Sequence, residues 1–241
     1  VLTTVVMFSI SGVGYRWFTA LFASIVGISS AFLGLIALVG VQTMAKVPIF
    51  GYVAKRFAAY FNPFKDLTGS GLQLSHSYYA MSNGGWFGLG LGNSIEKTGY
   101  LPEATTDFVF SIVIEELGLI GAGLILALLF FLILRIMIVG VKARNPFNSM
   151  MALGVGALML MQVFVNIGGI SGLIPSTGVT FPFLSQGGNS LLVTSVGIAF
   201  VLNIAANEKR DNIVQAIEEE LSQTQELESQ DEKIVPLRRS R

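Results

Sequence analysis

At 241 residues, with 52% hydrophobic and 12% charged residues, no formal net charge and no cysteine, the chain excludes a disulfide framework, a thiolate metal site and a cysteine nucleophile. A single histidine, His76, excludes a multi-histidine metal centre. No basic patch points to nucleic acid, and the apolar residues come in runs too long for a soluble core.

Residues 17–45 and 145–207 carry no charged side chain, enough for one and two bilayer crossings of ~20 residues each. Five membrane segments are predicted in chain order: 1–14, cut short, then 17–45, 117–139, 150–170 and 190–205. Because the chain begins with Val and lacks the charged start of a signal peptide, 1–14 reads as the tail end of an earlier transmembrane helix. A long loop, about 46–107, lies between the second and third segments, and an uncharged Gly- and Pro-rich stretch, SGLIPSTGVTFPFLSQGG, between the fourth and fifth.

Arg16, and then Arg135, Lys142 and Arg144, sit at the short connections, which the positive-inside rule places in the cytoplasm. The long loop and the Pro/Gly stretch then face outside, despite Lys46, Lys55, Arg56, Lys65 and Lys97, since long loops translocate largely regardless of charge. The expected fold is an all-α polytopic membrane domain over 1–206 with a large extracytoplasmic loop, followed by a cytoplasmic tail, 207–241. Ile213, Ile217 and Leu221 mark a short amphipathic helix in that tail, with disorder beyond it.

The segment LPEATTDFVFSIVIEELGLIG sets Glu103, Asp107, Glu115 and Glu116 at the mouth of an apolar helix. A continuous helix over 108–139 would run roughly 48 Å against a hydrocarbon core of ~30 Å, so these acids are expected to line an outer mouth. Thr105 and Thr106 are good N-caps and would put Asp107 in the first helical turn, where backbone N–H groups favour an ionised carboxylate. Asp107 is thus a candidate general base or a simple helix cap. Asp107 and Glu115 would be about 12 Å apart in rise, beyond the ~5–9.5 Å of glycosidase pairs, and Glu103, four residues before Asp107 but next to Pro102 and the loop, is read as support. Glu115 and Glu116 point in different directions, towards the interface, a neighbouring helix or a functional contact. The glycines of GGWFGLGLGNSIEKTGY follow no predicted strand, so close backbone packing is favoured over a phosphate cradle. Lys55, Arg56 and Lys97 suit an anionic head group or a solvated rim, and His76 has no recognisable partner.

FNPFKDLTGSGLQLSHSYYAMSNGGWFGLGLGNSIEKTGYLPEATTDFVFSIVIEELG, continuing to NIGGISGLIPSTGVTFPFLSQGGNSLL, closely resembles the SEDS family (shape, elongation, division and sporulation). The similarity covers nearly all of 1–207, and LGNSIEKTGYLPEA resembles the division branch more than the elongation branch. It implies about ten transmembrane helices with both ends cytoplasmic, of which this chain would be the carboxy-terminal half, in the bacterial cytoplasmic membrane at the division septum. The implied activity is peptidoglycan glycosyltransfer, polymerising lipid II on the outer face, with Asp107 as the essential aspartate that takes a proton from the acceptor hydroxyl.

Arg56 and Lys97 would ease the departure of undecaprenyl pyrophosphate, with a divalent cation, magnesium or manganese, as an optional aid; no cofactor and no metal ligand is fixed. Glu103, Thr106, Glu115 and Glu116 are supporting residues. Pro175, Gly178, Pro182, Ser185, Gly187, Gly188 and Ser190 match the family's last signature and are expected to line the cavity for lipid-linked sugar. The implied partners are a cognate class B penicillin-binding protein, other divisome proteins and membrane lipids. Thr105 stands where many relatives have His, Gln186 where Tyr is common and Thr177 where some carry Lys, so a basic residue at 177 is not general to the mechanism. The competing readings are a lipid II transporter and a divisome scaffold acting through the tail.

Overall fold

The computed structural model describes residues 3–5, 7, 15–39, 56–57, 59–69 and 71–239, and among them it is all-α. In chain order these are α1 (Tyr15–Val39), a 3-10 turn at Pro63–Lys65, α2 (Leu72–Gly84), a 3-10 turn at Glu96–Thr98, α3 (Val109–Lys142), α4 (Pro146–Ile170) and α5 (Gly188–Arg239). Three of them, α3, α4 and α5 as far as Gln225, are long and apolar enough to cross a membrane. The expected segment at 17–45 is helical as α1 to Val39, with 40–45 outside the described residues, as is most of 1–14.

α3 and α4 form the central hairpin. Asn145 starts α4 by accepting the N–H of Phe147 at 2.9 Å, and Pro146 occupies the first turn, where its missing N–H costs nothing. Leu129, Ile133 and Ile136 of α3 pack with Ala152, Met159 and Val163 of α4 and with Val201 and Ile204 of α5. On the other side of α3, Leu124, Leu128, Phe131 and Leu134 are each more than half exposed, an apolar face suited to lipid or further helices.

The continuous helix expected over 108–139 is broken at Gly118, whose φ of 70° and ψ of 178° leave the helical region. The break has a partner. Leu119 N and Ile120 N donate to Gly85 O and Trp86 O at 2.9 and 3.2 Å, while Glu115 O and Glu116 O accept from Leu89 N and Gly90 N, both at 2.9 Å. The two helical bonds that the break opens are therefore replaced at all four ends, as backbone polar groups near a bilayer require. Only glycine fits: a Cβ at Gly118 would lie 2.4 Å from Trp86 O, and one at Gly88 2.3 Å from Glu116 O. The glycine-rich loop is thus a backbone graft into α3, the close packing favoured from its sequence.

α5 differs from expectation beyond Asn207. In place of a short amphipathic helix and disorder, the helix continues through the charged boundary to Arg239. The tail is rich in Glu and Gln, which support helix beyond the apolar stripe that ends at Leu221.

Candidate active site

Asp107 closes the long loop one residue before the N-cap of α3, Phe108. No side chain caps this helix, so Thr105 and Thr106 are not the expected N-caps and Asp107 precedes the first turn. Thr106 instead donates its hydroxyl to Glu103 Oε2 at 2.6 Å, and Glu103, at a φ of 57°, folds the segment back through its carbonyl to Thr106 N and Phe108 N.

The Pro/Gly stretch packs onto this turn through two hydrogen bonds, and a third within the stretch fixes Ser185 in place. Ser185 donates to Thr106 O at 2.6 Å and accepts Phe181 N at 2.7 Å, and Gln186 N reaches Thr105 O at 2.8 Å. Asn166 of α4, buried, donates to both Asp107 O and Val179 O at 2.7 Å. The rings of Phe110 and Phe181 stack below, 4.8 Å apart and 6° from parallel. Asp107 is therefore held by its backbone, and no described donor hydrogen-bonds its carboxylate oxygens.

A narrow cleft bounded by Asp107, Asn166, Gly169, Ser176, Thr177 and Gly178 opens beside that carboxylate. Arg56 enters from the long loop with its guanidinium on the carbonyl and hydroxyl of Ser176. Gly178, at a φ of 75°, lies between the two charges: a Cβ there would be 3.1 Å from Asp107 Oδ2 and 3.4 Å from Arg56 Nη2. Burial pushes the Asp107 carboxyl above the usual carboxylate range, with Arg56 opposing and Glu103 adding to the rise.

Of the residues singled out in the sequence, Arg56, Glu103, Thr106, Gly178 and Ser185 gather around Asp107. Pro175 is half-buried next to Ser176, whereas Gly187, Gly188 and Ser190 open α5, with Ser190 accepting the hydroxyl of Thr180 at 2.8 Å. Lys97 turns elsewhere, 3.8 Å from Glu116 and lining a separate cleft with Thr105 and Gln186.

Glu115 and Glu116 do not line the mouth, and this corrects the expectation. Both are buried, and Glu115 accepts from Asn83 Nδ2 and Ile95 N at 3.2 Å, from Glu96 N at 3.4 Å and from Ser94 Oγ. His76, expected without a partner, binds Glu96 Oε2 at 2.6 Å through Nδ1. Asn166 was missed; two amides four residues apart, Gln162 and Asn166, in an otherwise apolar membrane segment were the signal that could have found it. Among the described residues no group of three or more Asp, Glu or His side chains could hold a metal ion, so no step is assigned to a cation.

A family model described as "Cell cycle protein", for FtsW, RodA and SpoVE, matches residues 1–210. The "Probable peptidoglycan glycosyltransferase FtsW" of Lactococcus lactis subsp. lactis (strain IL1403) is 55% identical over 208 residues, covering 86% of this chain and 50% of the relative. The protein of the same name from Enterococcus hirae is 50% identical over 162 residues, covering 67% of this chain and 41% of the relative. The chain thus spans about half the length of the curated relatives it matches. A chain from the solved structure described as "Structural coordination of polymerization and crosslinking by a peptidoglycan synthase complex" aligns with a TM-score of 0.59 at 23% identity, over 86% of this chain and 53% of that one, which shows a shared fold. The chain belongs to the FtsW, RodA and SpoVE family of cell cycle proteins, the SEDS proteins, on its FtsW side.

Proposed function

We propose that this chain carries the catalytic part of a peptidoglycan glycosyltransferase that polymerises lipid II, with Asp107 as general base. One observation carries the reading: a half-buried carboxylate, fixed through its backbone and with its oxygens open to a cleft, faces a guanidinium across Gly178. The acceptor sugar's hydroxyl oxygen attacks the anomeric carbon of the donor muramyl unit as Asp107 takes its proton. The new glycosidic C–O bond forms while the anomeric carbon's bond to the pyrophosphate oxygen breaks, and undecaprenyl pyrophosphate leaves. Arg56 is the cation placed to meet negative charge in this cleft; Lys97, engaged with Glu116, is not.

The Asp107 end of the bundle faces outside in this proposal, and the α3–α4 turn with Arg144 and the tail of α5 face the cytoplasm, at the septal membrane. The names of the relatives support the chemistry, and a class B penicillin-binding protein is the proposed partner for crosslinking. The test is Asp107→Asn in the full-length protein with that partner: glycan polymerisation from lipid II is lost while folding and lipid binding persist. Polymerisation by the variant rejects the base assignment.

The break in α3 is the feature that favours a lipid II transporter, since transporters bind substrates at broken helices. Here the opened backbone groups are occupied by residues 85–90, which leaves none for a substrate. Robust lipid II translocation by proteoliposomes without polymer would favour the transporter. Cysteine labelling at position 103 from the cytoplasmic side alone would reverse the proposed topology.

A further inference from the structure

At the end of the bundle away from Asp107, α3, the α3–α4 turn and α5 form an open cavity of about 540 Å³. Arg135, Lys142 and Lys209 line it, and among the described residues none of the three makes a hydrogen bond or an ion pair. Its one acid, Glu208, accepts the backbone N–H of Arg144 at 3.0 Å, and the Arg144 guanidinium is held by Asn212 and Gln215. These bonds fasten the turn to α5 and so hold the cavity's rim in shape. Glu208 keeps its charge, so four cations, Arg135, Lys142, Arg144 and Lys209, face a single carboxylate.

Arg135 lies seven residues before Lys142, about 10 Å deeper along the helix axis. An arginine at that depth without an anion is costly beside a bilayer, and such a residue marks a binding function by default. Between these cations the lining is apolar, made by Ile138 and Val139 on the same face of α3 as Arg135 and Lys142, and by Ala205 of α5. It continues along α3 to Leu134 and Phe131, which are 59% and 64% exposed. A free phosphate would satisfy the cations but gain nothing from that wall; a molecule with an anionic phosphate head and hydrocarbon tails satisfies both.

We propose that this cavity is a binding site for the phosphate head group of an anionic phospholipid, with the acyl chains lying along the exposed face of α3. On the topology proposed above the lipid belongs to the cytoplasmic leaflet, but the site stands independently of the catalytic reading. Native mass spectrometry of the detergent-solubilised full-length protein tests it, with phosphatidylglycerol, phosphatidylcholine and inorganic phosphate as probes. Phosphatidylglycerol is expected to bind on the order of 100-fold more tightly than phosphatidylcholine, since each Lys or Arg near a membrane anion contributes roughly fivefold. The triple variant Arg135→Gln, Lys142→Gln, Lys209→Gln removes this preference. Ile138→Trp fills the apolar wall without changing charge and also weakens phosphatidylglycerol binding, which separates a built site from general surface attraction. Equal binding of the two lipids overturns the proposal, as does a preference that survives the triple variant, phosphatidylglycerol binding unchanged by Ile138→Trp, or displacement of phosphatidylglycerol by equimolar inorganic phosphate.

Discussion

A methyl group at Gly178 would probe the proposed active site without removing any of its charges. Alanine at this position meets two penalties. The φ of 75° costs an L-residue roughly 1–2 kcal/mol. Its Cβ would also sit 3.1 Å from Asp107 Oδ2, tighter than ordinary contact, so the carboxylate must yield by a few tenths of an ångström. Gly92 separates the two effects, because its φ is 82° and nothing lies within 4 Å of its Cβ position. Gly92→Ala and Gly178→Ala should therefore lose similar stability in thermal melts of the full-length protein. They should part in turnover. A 1 Å misplacement of a reacting group can cost about a hundredfold, so a displacement of tenths predicts a loss of about tenfold in lipid II polymerisation for Gly178→Ala alone. If the two variants polymerise equally well at matched folded fraction, Gly178 does not shape the Asp107–Arg56 gap and the proposed geometry is wrong.

The pH dependence offers a pair of opposed shifts. A general base works deprotonated, and burial holds the Asp107 carboxyl above the usual range, so the rate should fall on acidification sooner than for an ordinary carboxylate. Arg56→Gln removes the charge that opposes this rise and should move the acid limb of the pH–rate profile to higher pH; Glu103→Gln removes the acid that adds to it and should move the limb to lower pH. Displacement of both profiles in one direction would refute the assignment. Glu115→Ala should act on stability instead: each buried donor left without an acceptor costs about 1–3 kcal/mol, and two, Ser94 Oγ and Glu96 N, lose theirs, while Asn83 and Ile95 N can turn to water. Limited proteolysis should then cut within residues 85–101, with activity following the folded fraction. A well-folded Glu115→Ala protein that has lost turnover would show that Glu115 belongs to the chemistry.

Periodicity and charge located the membrane helices because a bilayer imposes one simple demand, an uncharged run of sufficient length. The local position of Asp107 at the head of α3 was legible for the same reason. What escaped was long-range. Gly118 looks like a tolerated glycine in an apolar helix, and only the arrival of Gly85, Trp86, Leu89 and Gly90 from a distant part of the chain shows why the helix breaks there. The burial of Glu115 depends on two backbone N–H groups near a 3-10 turn, which carry no residue-type signature. Arg56 was one of several loop cations with equal claims until its fork reached Ser176 beside the Asp107 cleft. In the tail the structure continues the helix where disorder was expected, and the sequence feature that goes with it is the run of Glu and Gln, both good helix formers.

The acids at this end of the bundle share a side-chain chemistry and differ in what their oxygens already hold. A carboxylate offers about four acceptor positions, and Glu115 has four donors on it with no exposure to solvent. Nothing remains for a substrate proton. Glu116 is buried opposite Lys97, and Glu103 takes the hydroxyl of Thr106. Asp107 alone of the four is tied through its backbone while its carboxylate oxygens, free of described hydrogen bonds, border a cleft. A base must be fixed in place, have an acceptor position to offer and border a site for the substrate, and of these four carboxylates only Asp107 borders the cleft that Arg56 enters. The geometry of this chain thus supports the proposal of Asp107 on grounds separate from its resemblance to a family.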